Sequence, residues 1–174
     1  MTKIHFTGAA SAALMAASLC ACTPPPKSAD KATVDTGKIA DAVKADEDQL
    51  TADFNAHDLT KAVSHDAPDI VGMFHGQPNI VGPAADTEST KKMFAAMPDA
   101  HIAVADEHVD VASAGDMAVY HATYTFTFTD PKTKKPSTET GNIVAGYKPQ
   151  ADGSWKMEWS IGADTPAAAA PAKS

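Results

Sequence analysis

The sequence contains no arginine. Its fourteen basic residues are all lysines, set against twenty-two Asp and Glu, for a formal net charge of -8. A nucleic-acid binder needs a concentrated positive footprint, so this balance argues against one. Lacking Arg, the chain also has no planar fork to grip a phosphate or carboxylate with two parallel hydrogen bonds. Cysteine is nearly absent: Cys20 and Cys22 are the two it has, too close together to staple a fold. Aromatic residues are sparse at 6%, and much of the 44% apolar content is alanine. Charged residues at 21% are ordinary for a globular protein. The length of 174 residues holds one domain with a little left over.

What is present begins with an address. Met1 to His5 carries one Lys, and Phe6 to Leu19 is an uncharged run of Ala, Leu and Met. That run is shorter than the roughly 20 residues a spanning helix requires. A positive start, a short apolar stretch and small residues behind it describe a secretory signal. The segment Leu19-Cys20-Ala21-Cys22 resembles the bacterial lipoprotein box, and only Cys22 is preceded by a small residue. The resemblance implies a signal peptide over 1–21, cleavage after Ala21 and lipidation of Cys22, anchoring the chain to a membrane through buried acyl carbons. Thr23 after the cysteine points to the outer membrane, facing the periplasm. The Pro24-Pro25-Pro26 stretch makes 22–34 a tether, and the Ala/Pro-rich 166–174 reads as a disordered tail.

The middle, 35–165, reads as α+β. Ile39, Val43, Leu50 and Phe54 mark one face of a long first helix, Asp35 to His57. Asp58 is a candidate N-cap for a short helix, Leu59 to His65. Ile70 to Phe74 and Asn79 to Val81 read as short strands, and Gly82-Pro83 opens a third helix with Met93, Phe94 and Met97 on its apolar side. From His101 the period changes to two. Tyr120, Ala122, Tyr124, Phe126 and Phe128 alternate with Val119, His121, Thr123, Thr125 and Thr127. After the Asp152-Gly153 turn, Trp155, Met157, Trp159 and Ile161 alternate with polar or small residues. Helices first and an antiparallel sheet afterwards predicts three helices packed on the concave face of a curved antiparallel sheet.

This order, with Gly115-Asp116-Met117-Ala118-Val119-Tyr120 and Asp152-Gly153-Ser154-Trp155-Lys156-Met157, resembles the SnoaL-like (polyketide cyclase-like) branch of the nuclear transport factor 2-like superfamily. The resemblance implies a cone-shaped, cystatin-like shell with an interior cavity, and homodimerisation through the outer sheet face. It does not fix an activity, because the superfamily hosts both enzymes and binding domains. It places Phe74 where isomerase-like members carry a basic Asp, and Ser160 where many relatives carry Asp. Epoxide-hydrolase-like members need an Arg that this chain lacks.

The expectation is therefore a small-molecule-binding or assembly module without the family's catalytic sets. The alternative is an isomerase, cyclase or hydrolase acting on a small hydrophobic substrate. The expected cavity wall is Phe54, His57, Phe74, His75, Tyr120, Tyr124, Met157 and Trp159, taking a small apolar ligand. The nearest candidates for catalysis are Asp46 and His57, which fall on the apolar stripe of the first helix, and the phenols of Tyr120 and Tyr124. No cofactor is expected. No two histidines form an i,i+4 clamp with a neighbouring Glu, so spacing predicts no metal site. Lys132, Lys134 and Lys135 read as a solvated hairpin tip.

Overall fold

The computed structural model describes residues 33–165. The expected signal peptide, Cys22, nearly all of the tether and the tail lie outside the described residues.

Helix α1, Thr36–Asn55, starts at Asp35, whose carboxylate accepts from the Lys38 amide at 3.1 Å. It ends earlier than the stripe suggested. The His57 amide bonds the Phe54 carbonyl at 2.9 Å and the Asp58 amide bonds that of Asp53 at 3.1 Å. His57 takes the left-handed conformation, φ 54°. These are the bonds of a Schellman stop. Helix α2, Leu59–Ala62, is capped by Asp58 and runs into a 3-10 turn, Val63–His65. Helix α3, Pro83–Ala96, begins after Gly82, whose φ of 82° an L side chain would resist.

The strands are β1 (Asp66–Phe74), β2 (Ile80–Val81), β3 (His101–Val111), β4 (Ala118–Thr129), β5 (Pro136–Pro149) and β6 (Trp155–Asp164). They form one six-stranded sheet in the order β2-β1-β6-β5-β4-β3. The last four form the expected meander. The sheet is mixed rather than purely antiparallel, because β1 lies parallel to β6. Helix α1 packs on β3, β4 and β6, burying Val43 completely against Ile70, Tyr120, Tyr147 and Met157. Burial of a side chain like Val43 contributes about 1.5–3 kcal/mol.

Besides an irregularity between Asp66 and Val71 in the β1–β6 pairing, bulges in β3 and β6 decide which side chains face inward. In β3, Ala105 pairs with Thr123 and His108 with His121, so one extra residue is inserted, with Asp106 at φ 53°. In β6, Met157 pairs with Tyr147 but Trp159 with Gly146, so Glu158 is extra. The simple alternation expected for β6 therefore breaks. Met157 and Ser160 face the helices, while Trp159 lies against Gly146 and Ile161 is exposed on the other side. A one-residue insertion exchanges the faces of everything beyond it.

Candidate functional site

Between the sheet and helices α1 and α3 lies a cavity of about 610 Å³. Three stretches of backbone aim polar groups into it. Glu47 comes from α1, one turn after Val43 on the buried face. Asp66 opens β1 with the same parity as Ile70, Gly72 and Phe74, which also line the cavity. Asp86 stands in the first turn of α3, two helical turns before Met93 on the same side. Leu50, Phe54, Met93, Ile102, Tyr120, Phe126, Ile143 and Met157 supply the apolar wall. Most of the lining is apolar with a few convergent polar groups, which is the usual form of a small-molecule site.

The acids do not behave as surface acids. Burial, and then the charge of Asp86, push the Asp66 carboxyl up to about 7. Burial likewise raises Asp86, against hydrogen bonds from Asp66 and Thr90 that lower it. Ionising either of these two acids opposes ionising the other, which together with burial keeps Asp66 above the ordinary carboxylate range. The second Asp66 oxygen is buried and has no hydrogen-bond partner among the described residues. Glu47 is pushed up to about 7 by burial, an effect opposed by the Tyr147 hydroxyl, which donates to its carboxylate at 2.9 Å. At neutral pH the cavity thus contains carboxyls poised to give or take a proton.

Phe54, Phe74, His75, Tyr120, Tyr124 and Met157 line the cavity. His57 and Trp159 do not. The Schellman stop turns the His57 ring away from the stripe, where its Nε2 lies 2.9 Å from the Ala100 carbonyl and its ring rests on Phe94. Trp159 is carried to the outer face by the β6 bulge. Asp46 does not reach the cavity either: its Oδ1 is 2.8 Å from His65 Nδ1, while Asp53 Oδ2 is 3.3 Å from Nε2 of the same ring. Donating to Asp46 raises the His65 pKa, and the bond to Asp53 adds to the rise, so the ring ties the 3-10 turn to α1. The phenols are occupied as well. Tyr120 donates to Glu107 at 3.2 Å and Tyr124 to Asp164 at 2.7 Å. Burial and these carboxylates raise both hydroxyls well above the usual phenol range. Neither phenol has a free proton with which to polarise a substrate carbonyl.

Glu47, Asp66 and Asp86 were missed by the sequence reading, yet each shares the periodicity of residues that it did place in the core. On the opposite face of the sheet, His108, Asp110 and His121 offer three metal-ligand atoms within 4.8 Å of one another. Spacing along the chain could not show that cluster, because it spans two strands.

Solved structures share this architecture. A ketosteroid isomerase-like protein from Erwinia carotovora atroseptica superposes with a TM-score of 0.63 at 19% identity, over 73% of this chain and 97% of that one. A nuclear transport factor 2-like superfamily protein from Salmonella enterica serovar Typhimurium gives 0.67 at 13% identity, over 80% and 99%. A protein with a cystatin-like fold from Caulobacter vibrioides gives 0.65 at 11%, over 72% and 89%. At these identities the likeness shows the fold alone. No curated protein sequence matches the chain. Residues 48–155, running from α1 into β6 and carrying most of the cavity wall, match the SnoaL-like domain family, and the chain belongs to that family.

Proposed function

We propose that this domain binds a small, mostly apolar molecule carrying an amine or another hydrogen-bond donor. One observation carries the reading: Asp66 and Asp86 line the same apolar cavity, with a buried Asp66 oxygen left unpaired, and we take the two carboxyls to share a proton near neutral pH. The rest of the lining agrees with it. Glu47, Glu139 and Asp164 add further acids, against Lys92 and His75. Such a wall repels carboxylates and phosphates and favours a cationic or donor group. A protonated amine would replace the shared proton and satisfy both carboxylates.

The test is a thermal-shift series on the purified full-length chain with matched hydrophobic amines, alcohols and acids. Amines should raise the melting temperature by several degrees, because a ligand at a hundredfold its Kd adds about 2.7 kcal/mol. The gain should grow as pH rises through 7, and Asp66→Asn should remove the preference for amines. Ser89→Trp, filling the cavity from α3, should abolish all binding. Equal stabilisation by acids, or a response that survives Ser89→Trp, would sink the reading.

A second reading is proton-transfer catalysis on such a molecule, favoured by the near-neutral Asp66 and Glu47. It predicts turnover that disappears in Asp66→Asn while binding persists. We further propose that lipidated Cys22 holds the domain at the membrane and that copies pair through the outer sheet face. Cys22→Ala should release the protein into the soluble fraction, and sedimentation should report a dimer.

A further inference from the structure

We propose that His108, Asp110 and His121 form a binding site for a zinc-class divalent cation on the outer face of β3 and β4. The site does not depend on the cavity or its ligand. His108 and His121 are direct cross-strand partners, and their ring centroids are 5.0 Å apart. Asp110 follows two residues along β3, on the same face and diagonal to His121. Its carboxylate reaches both rings: Oδ1 lies 3.3 Å from His108 Nε2 and Oδ2 lies 3.7 Å from His121 Nε2.

The geometry is close to what an ion would require. Bonds of about 2.0–2.1 Å to a tetrahedral ion place neighbouring ligand atoms about 3.4 Å apart. The Asp–His separations of 3.3 and 3.7 Å use different carboxylate oxygens, and one ligand atom from each residue lies within 4.8 Å of the other two, so side-chain rotations must draw the three atoms together onto the ion. Two imidazoles and one carboxylate form a borderline donor set that suits zinc and its transition-metal neighbours, not calcium or magnesium, which prefer all-oxygen shells. Three protein ligands leave a fourth position for water.

The β3 bulge is what builds the cluster. Before it, His101, Ala103 and Ala105 occupy the outer face, and unbroken alternation would next place Glu107 and Val109 there. The inserted residue at Asp106 sends Glu107 inward to Tyr120 and Lys44, and brings His108 and Asp110 out beside His121. Bulges commonly re-aim side chains in this way next to functional sites. Both strands are paired in the sheet, so the backbone positions of the three ligands are set before any ion arrives.

The experiment is calorimetric titration of zinc chloride, and separately magnesium chloride, into the chelator-treated full-length chain. The expected result is one equivalent of zinc bound with micromolar affinity, and no magnesium heat at the same concentrations. His108→Ala and His121→Ala should each weaken zinc binding by about tenfold or more, and Asp110→Asn should weaken it too. His101→Ala, on the same strand and face, should leave it unchanged. These side chains are largely exposed in the single chain, so the variants should keep the wild-type melting temperature to within a few degrees at concentrations where sedimentation reports a monomer. His121→Gln provides a second, shape-conserving replacement. Absence of zinc binding, or zinc binding that persists in the double variant His108→Ala/His121→Ala, overturns the proposal.

Discussion

Asp66 shows how one side chain can carry function and cost stability together. Its folded-state pKa lies near 7, above the ordinary carboxyl value of 3.8. The folded state therefore binds a proton that the unfolded state has released. Below about pH 4 the group is neutral in both states and costs nothing by this route. The penalty grows as pH rises to 7 and is constant above it. Asp66→Asn removes the titration and keeps a donor to Asp86. It should raise stability by ~1–2 kcal/mol at pH 8, a figure discounted for partial solvation, and have little effect at pH 4. Urea unfolding at the two pH values checks this, and an equal gain at both would disprove it. Gly146 makes the opposite point on the other face of the sheet. A Cβ there would collide with the Trp159 ring, so Gly146→Ala should cost about 1–3 kcal/mol by displacing the indole. Trp159→Ala in the same background should recover part of that loss.

At the scale of elements, the link between α1 and the 3-10 turn rests on one buried histidine between two carboxylates. His65→Gln leaves Asp46 and Asp53 without a counter-charge and should cost about 3 kcal/mol at pH 6. The loss should shrink by pH 9, because the wild-type imidazolium itself deprotonates as pH rises through its raised pKa. Denaturant midpoints of wild type and variant across that range test it, and a gap that does not change with pH would refute the ion-pair account. How much of this was legible beforehand follows from how local each signal is. The β4 alternation, the Asp35 and Asp58 caps and the Gly82-Pro83 start lie within a few residues of what they determine, and each could be read directly. The parallel pairing of β1 with β6 joins segments at opposite ends of the domain, and nothing local encodes it. The bulge at Glu158 has no glycine to mark it, so Trp159 was placed on the wrong face. His57 continued the stripe numerically, but the helix had already stopped. The cavity acids were visible in principle: Glu47, Asp66 and Asp86 keep the period of Val43, Ile70 and Met93. What sequence could not supply was the three-dimensional meeting of Asp66 with Asp86, which requires β1 and α3 to face one another.

For the whole molecule the linkages combine with a single sign near neutrality. Glu47, Asp66 and Asp86 are held above their ordinary pKa by burial, so each removes stability as pH rises from about 4 toward its folded value. His65 is raised above 6.5, so its contribution is complete below 6.5 and fades as pH passes its folded value. Asp58, Asp99, Asp130 and Asp152 are lowered by hydrogen bonds, and their stabilisation disappears only in acid, as pH falls below 3.8. They do not change between pH 5 and 9. Deprotonating His65 and the buried acids takes the chain toward its formal net charge of -8, which adds self-repulsion in the same direction. The protein should therefore be most stable on the mildly acidic side of neutrality. Its melting temperature should fall by ~5–10 °C between pH 5.5 and 8.5, as expected for a loss of ~2–3 kcal/mol in a domain of this size. Scanning calorimetry at constant ionic strength measures this. Added salt screens the surface repulsion but reaches the buried groups much less, so most of the difference should survive at 0.5 M sodium chloride. A bound hydrophobic amine, which lets Asp66 and Asp86 ionise in place, should flatten the curve at its alkaline end. A melting temperature that rises toward pH 8.5 would mean that the cavity acids are ionised in the folded protein and that their shared proton does not exist.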